Sequence, residues 1–305
     1  MAPAAALAVA ERMPEVNRSI LFDMGHGELR LSYRRKFAHK LESAGYNQAI
    51  VLPNSAKSAL VPFFAGIKKR TGFIGEMRYF LLNDVRKLDK ERLPRMIDRF
   101  LSLGSLNDSE RSHPIEYPEL RVDHENQAQC LSRFGLDIAR PVLSLCPGAE
   151  FGDAKKWPES HYANVANFAI EAGMQVWIFG SPRDEEVALS IYNNLERQDY
   201  GHNLAGKTTL LDVVDLLSLS KLVASNDSGL MHVAAAVGCE TAVLYGSSSP
   251  IFTPPLTEKL TILTEGLDCS PCFKRDCPLG HKDCLNKLGP EKLYPIVDKV
   301  LGRIQ

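Results

Sequence analysis

The chain has 305 residues, 45% of them hydrophobic and 24% charged, the make-up of a globular protein rather than a disordered or fibrous one. Its formal net charge of −1 removes any global electrostatic case for a nucleic-acid partner. No apolar run approaches the ~20 residues that a membrane-spanning helix needs. The length suits two ordinary domains.

In chain order, the apolar stretch 2–10 has no basic segment before it, so it reads as a short buried helix ending at Glu11-Arg12 rather than a secretory leader. Ser19-Ile20-Leu21-Phe22 and Ala49-Ile50-Val51-Leu52 read as strands, with helical patterns over 30–44, 58–64 and 95–103. The polar, proline-bearing passage 105–125 lacks periodicity and reads as the approach to a domain junction. Strands follow at 142–146, 175–180, 222–225, 241–245 and 260–263, with helices near 160–172, 184–195, 211–217 and 230–237. A last amphipathic helix starts after Pro290, a suitable first-turn proline.

Short apolar runs alternating with helical patterns are the mark of βαβ units and parallel sheets. The fold class is therefore α/β: two Rossmann-like domains facing a cleft, residues 1–135 and 136–288, with a closing helix over 289–305. Ligands are expected at the carboxyl ends of the strands, where loops lead into helices.

Three strand-end loops of the second half have the composition of a diphosphate site. In Cys146-Pro-Gly-Ala-Glu-Phe-Gly-Asp-Ala-Lys-Lys-Trp-Pro158, Gly148 and Gly152 allow close backbone approach, and Lys155 and Lys156 are cationic donors; a surface loop with solvated lysines has the same composition. In Asn226-Asp-Ser-Gly-Leu-Met-His232 a helix starts near Ser228 or Gly229, and its first amides are free to bind phosphate oxygens. Asp227 is read either as the N-cap of that helix or as an acceptor for sugar hydroxyls, and His232 equally as a packing residue. The third loop, Leu244-Tyr-Gly-Ser-Ser-Ser-Pro250, adds Gly246 and three serines, which a plain turn also explains.

Pro147-Gly-Ala-Glu-Phe-Gly152, Lys155-Lys-Trp-Pro158, Asn226-Asp-Ser-Gly-Leu-Met-His232 and Tyr245-Gly-Ser-Ser-Ser-Pro250 resemble the signature loops of bacterial ADP-heptose:lipopolysaccharide heptosyltransferases. So do the run 52–66, Arg70-Thr-Gly72 and Gly75-Glu-Met-Arg-Tyr79, while Leu82-Asn-Asp-Val-Arg86 is similar to the type II members. The resemblance covers nearly the whole chain. It implies a GT-B fold and an inverting transfer of L-glycero-D-manno-heptose from ADP-heptose to the first heptose of the lipid A–Kdo inner core. It implies no required cofactor, and a cytoplasmic protein peripheral at the inner face of the membrane.

Carried over by motif, Lys155 binds the donor phosphates, Asp227 the heptose hydroxyls, and Ser228, Gly229 and Leu230 present helix-start amides. Gly148, Glu150 and His232 complete the donor side; Asn54, Lys57 and Arg70 are the acceptor-side candidates. Lys57, Lys68, Lys69 and Arg70 are read equally as a basic edge meeting acceptor phosphates or anionic lipid and as a solvated face. Relatives begin with a strand, a Gly-Asp loop whose aspartate is the general base, a helix and a second strand. Met1-Ala-Pro3 resembles the end of that second strand, so the resemblance implies that the first βαβ unit is missing and the first domain incomplete. No residue here is then assigned as base; Asp23, before Met24-Gly25, belongs to a later strand. The expected consequence is unpaired backbone along 19–22 and 49–52, with in-frame upstream DNA encoding the missing unit. A form that binds nucleotide-sugar without turnover, and a sugar-nucleotide epimerase of the same architecture, are the alternatives.

Cys130, Cys146 and Cys239 lie in hydrophobic contexts and read as buried small residues. Cys269, Cys272, Cys277 and Cys284 are clustered, with His281 among them. Four thiolates within so short a span can ligate structural zinc, remain reduced thiols, or form disulfides, the last disfavoured in a reducing cytosol.

Overall fold

The computed structural model describes residues 1–25, 27–105 and 115–304, so 106–114 of the expected junction passage lie outside the described residues. In chain order the helices and strands are α1 (Ala4–Arg12), α2 (Leu31–Glu42), β1 (Gln48–Ile50), α3 (Ala56–Phe64), β2 (Lys69–Phe73), β3 (Asp84–Arg86), α4 (Met96–Gly104) and α5 (His124–Phe134). They continue as β4 (Val142–Cys146), α6 (Glu159–Glu171), β5 (Gln175–Ile178), α7 (Glu185–Asn193), β6 (Gly201–Asn203), α8 (Leu210–Leu217), β7 (Ser220–Asn226), α9 (Gly229–Ala236), β8 (Glu240–Leu244), β9 (Leu260–Leu263), α10 (Asp283–Asn286) and α11 (Tyr294–Val300). None of the helices among the described residues is long and apolar enough to cross a membrane.

Two compact units result. The larger comprises Met1–Asp23, Glu116–Pro250 and Pro254–Gln305; the smaller comprises Met24–Ile115 and Ile251–Thr253. A boundary at 135 separates residues that pack together, because α1 and α5 belong to the larger unit. The cause is the fully buried carboxylate of Asp215 on α8, which accepts from Arg12 Nη2 at 2.7 Å, from the Asp123 amide at 2.8 Å and from Asn126 Nδ2 at 2.7 Å. An unpaired buried carboxylate is costly, so these three donors fix both helices against α8.

Asp212, one turn earlier, gives this packing a pH signature. Burial raises its pKa, but the Thr209 amide and hydroxyl, Cys130 and Asn126 outweigh that and hold the carboxyl at about 2, below its ordinary 3.8. Its contribution to stability is complete above the ordinary value and is lost as the pH falls towards 2. Urea midpoints measured against pH should therefore drop more steeply across that window in the parent chain than in Asp212→Asn. Equal slopes would remove Asp212 as the source.

The larger unit holds a six-stranded, all-parallel sheet in the order β6-β5-β4-β7-β8-β9. β4 and β5 are buried along their whole length, and β7 at all but Lys221, as strands covered by helices on both faces must be. Chain order reverses beside β4, where β4 pairs with both β5 and β7. That switch point opens a crevice at the carboxyl ends of β4 and β7, the usual ligand position in a doubly wound sheet.

The smaller unit has a three-stranded parallel sheet, β1-β2-β3. The strand expected at 19–22 is instead one isolated parallel bridge, Ala2 to Leu21, in the larger unit. It has two hydrogen bonds, Ala2 N to Ile20 O at 3.0 Å and Phe22 N to Ala2 O at 2.9 Å; the segment finds one residue of partner and extends no ladder.

Candidate functional site

The loop after β4 is fixed by one side chain of β7. Asn226, fully buried, donates from Nδ2 to the Pro147 carbonyl at 2.6 Å. Its Oδ1 accepts from the Trp157 amide at 3.1 Å and the Tyr162 hydroxyl at 3.0 Å. Both ends of the 147–157 loop are thus tied to the last residue of the neighbouring strand. Trp157 donates from its indole to Leu288 O at 2.7 Å and meets Tyr162 edge-to-face at 4.9 Å, locking the entry to α6.

Two glycines of this region are close-approach positions. A Cβ at Gly148 would stand 2.6 Å from the Asp184 carboxylate, itself held by Ser181 N at 2.8 Å and Ser181 Oγ at 2.7 Å. A Cβ at Gly152 would collide with the Arg275 carbonyl oxygen, which accepts from the Ala154 amide at 2.9 Å.

Lys155 and Asp227 form an ion pair, both mostly buried (16% and 7% side-chain exposure). The Lys155 ammonium also lies 5.0 Å from the Phe151 ring centroid. Of the two readings of Asp227, the N-cap falls: Ser228 is the cap of α9, with no side-chain cap bond, and Asp227 is turned to Lys155.

A recess of about 820 Å³ opens at the sheet's switch point, within the range of ligand sites. Gly148, Glu150, Ser228, Gly229 and Leu230 are in its lining, as the sequence expects. Lys156 lines it; Lys155, Asp227 and His232 do not, though each adjoins a lining residue in the chain. Glu150 is exposed and pairs with Arg183, also a lining residue, at 3.4 Å. Burial around the His232 ring lowers its pKa, with Asp227 opposing and Lys155 adding to the effect. The positive end of α9 and Lys156 suit an anionic ligand here. Lys156, read from sequence as a cationic donor beside Lys155, is the one of the two that lines the recess; Asn226 and Asp184 were missed as individual site residues, and the strand-end asparagine inside a quoted motif was the available signal.

In the smaller unit Arg70 is a structural residue: Nε donates to Leu81 O at 2.7 Å, Nη1 to Ile67 O at 2.6 Å, and the guanidinium lies 5.5 Å from the Phe63 ring. Lys69 pairs with Asp84 at 3.5 Å. Lys57 gives its carbonyl to Arg34 at 2.8 Å, and Lys68 its carbonyl to Asn83 at 2.7 Å. Asn54 accepts from Arg78 at 3.4 Å. Arg78, not singled out from sequence, is 2% exposed and binds Pro53 O at 2.5 Å and Phe73 O at 2.8 Å. Its pKa is lowered by burial and partly restored by Glu76.

All seven cysteines are free thiols, and Cys130, Cys146 and Cys239 are buried as expected. Cys277 is held below its ordinary pKa by the backbone N–H groups of Lys282, Leu279, Gly280 and His281; Cys284 is raised by burial and by its three cysteine neighbours. Among the described residues no three His, Cys, Asp or Glu side chains stand in a ready coordination shell.

Residues 34–283 match the family model for glycosyltransferase family 9 (heptosyltransferase). The chain is 44% identical to lipopolysaccharide heptosyltransferase 2 of Escherichia coli K12, covering 99% of this chain and 88% of that enzyme. It is 41% identical to lipooligosaccharide heptosyltransferase 2 of Haemophilus influenzae, covering 99% and 90%. The structure of ADP-heptose lps heptosyltransferase II from E. coli superposes with a TM-score of 0.88 at 42% identity, covering 99% of this chain and 88% of that one.

Proposed function

This chain belongs to glycosyltransferase family 9, the heptosyltransferases, and we propose that it transfers L-glycero-D-manno-heptose from ADP-heptose to the first heptose of a lipid A–Kdo inner core. The observation that carries the donor half is the recess at the switch point, where the first turn of α9 and Lys156 face one cavity and adjoin the Lys155–Asp227 pair in the chain. The donor diphosphate takes the Ser228, Gly229 and Leu230 end of α9, where unpaired amides and the helix dipole favour negative charge. Lys155 and Lys156 add the cationic contacts, and Asp227 accepts from heptose hydroxyls.

In the reaction an acceptor hydroxyl oxygen bonds to the anomeric carbon as the bond from that carbon to the phosphate oxygen breaks. The hydroxyl proton passes to a base, and ADP carries away the electron pair. Charge on departing ADP is met by fixed amides and lysine, the contribution that lowers the barrier most in such displacements. No side chain is assigned as base. The acceptor-side candidates Asn54 and Lys57 belong to the smaller unit, while Arg70, bound to carbonyls, positions the loop after α3 rather than meeting substrate. The protein acts in the cytoplasm, peripherally at the inner face of the membrane where its lipid acceptor is made.

The test supplies ADP-heptose and a lipid A–Kdo acceptor carrying one heptose. Addition of a second heptose, insensitive to a chelator, is the expected result. ADP-heptose bound without transfer, or donor epimerised in the absence of acceptor, would replace this reading.

A further inference from the structure

We propose that Cys269, Cys272, Cys277 and Cys284 bind one zinc ion, and that this ion fastens the loop after β9 onto the loops after β4 and β8. The four cysteines line a single cavity of about 20 Å³, room for one ion and too little for an iron–sulfur cluster. The segment needs a fastening. Between Leu263 and Asp283 it has neither helix nor strand, and no residue from Thr264 to Cys284 is buried. Ordered segments of that length without structure or core of their own are uncommon, and a bound metal is one of the few devices that hold them.

The backbone turns sharply beside the thiols at two left-handed positions. Phe273, directly after Cys-x2-Cys, has φ +56°, and Gly280 has φ +75°. Gly280 N donates to the Cys277 carbonyl at 3.1 Å, closing a tight turn directly after that thiol. Ser247 supports the same reading: its hydroxyl is buried, has no hydrogen-bond partner, and belongs to a residue lining this cavity. A metal-bound thiolate is the acceptor it lacks. The side chains as placed are not a coordination shell, so closing on an ion at ~2.3 Å takes rotation about the cysteine Cα–Cβ bonds. With four thiolates and tetrahedral demand, zinc outcompetes ferrous iron.

The loop so held bridges two others. Arg275 O accepts from Ala154 N at 2.9 Å, and Lys282 pairs with Asp153 at 2.6 Å, both on the loop after β4. Phe273 N donates to Ser247 O at 2.6 Å and Ser270 Oγ to Gly246 O at 2.5 Å, both on the loop after β8.

The test uses the full chain purified under reducing conditions. About one zinc per chain by elemental analysis is expected. Cobalt in its place should show thiolate-to-cobalt absorption, and the Ala154 amide should exchange faster once the metal is chelated. Cys272→Ser/Cys277→Ser should lose the metal, whereas Cys130→Ala, remote from the loop, should keep it. Zinc-free chain with four freely titrating thiols, disulfides between them, iron in zinc's place, or zinc retained by the double variant would each overturn the proposal. None of these readouts depends on sugar transfer.

Discussion

Asn226→Ala should be the most damaging single substitution in the larger unit. It removes the partner of three groups at once: the Pro147 carbonyl, the Trp157 amide and the Tyr162 hydroxyl. Asn226, Trp157 and Tyr162 are buried to 2% exposure or less, so water does not freely replace the lost bonds. Each buried unsatisfied group costs about 1–3 kcal/mol, and a truncated side chain in a fully packed site adds a void. Allowing for partial relaxation, a loss of about 4 kcal/mol is expected, measurable as a fall in urea midpoint at unchanged m-value. Asn226→Asp should also be damaging, because an acceptor oxygen then faces the Pro147 carbonyl in place of the amide donor. A loss below about 1 kcal/mol in either variant would show that the loop is held by other contacts.

Why this residue was legible only as part of a motif follows from what sequence patterns encode. Five strands of the larger sheet could be read because β4, β5 and the Leu222–Ala224 centre of β7 are apolar, the signature of strands covered on both faces; β6, Gly201–Asn203, has no such run and could not. β2 and β3 could not, because Lys69-Arg70 opens one and Asp84-Val85-Arg86 is the whole of the other; their polar side chains pair with each other, Thr71 with Asp84 at 2.9 Å and Lys69 with Asp84 at 3.5 Å, instead of marking an apolar face. α5 buries only Cys130, so its helical period is faint. Its ends were nonetheless written in the chain: Asp123 accepts from the amides of Glu125 and Asn126, and Gly135 closes it at φ +62°. In the site, composition located the loops but not the partners within them. Arg70 reads equally as an acceptor-side contact or a solvated residue and is bound to two carbonyls; Asp227 reads as a cap or an acceptor for sugar hydroxyls and is paired with a lysine. Such pairings depend on which loops the sheet order brings together, and local spacing does not carry that.

The Lys155–Asp227 pair separates donor binding from mere charge balance. Lys155→Met should weaken ADP-heptose binding by about 10- to 100-fold, the loss of one charge-assisted contact worth about 1.5–3 kcal/mol. It should also lower stability, by about 3 kcal/mol, since it strands the Asp227 carboxylate at 7% exposure. Asp227→Asn should be milder in stability, because an amide at that position still accepts from the lysine. Two explanations of a weakened donor then remain, and the double variant Lys155→Met/Asp227→Asn distinguishes them. If the lysine serves only to neutralise the aspartate, removing both charges restores stability and donor affinity together. If the lysine meets the donor phosphates and the aspartate its hydroxyls, stability returns and affinity does not. Calorimetric titration with ADP and with ADP-heptose reads the two roles apart: the lysine contact should be lost for both ligands, the aspartate contact only for the sugar-bearing one. Full recovery of ADP-heptose affinity in the double variant would return the pair to a structural role, leaving Lys156 and the first turn of α9 as the anion site.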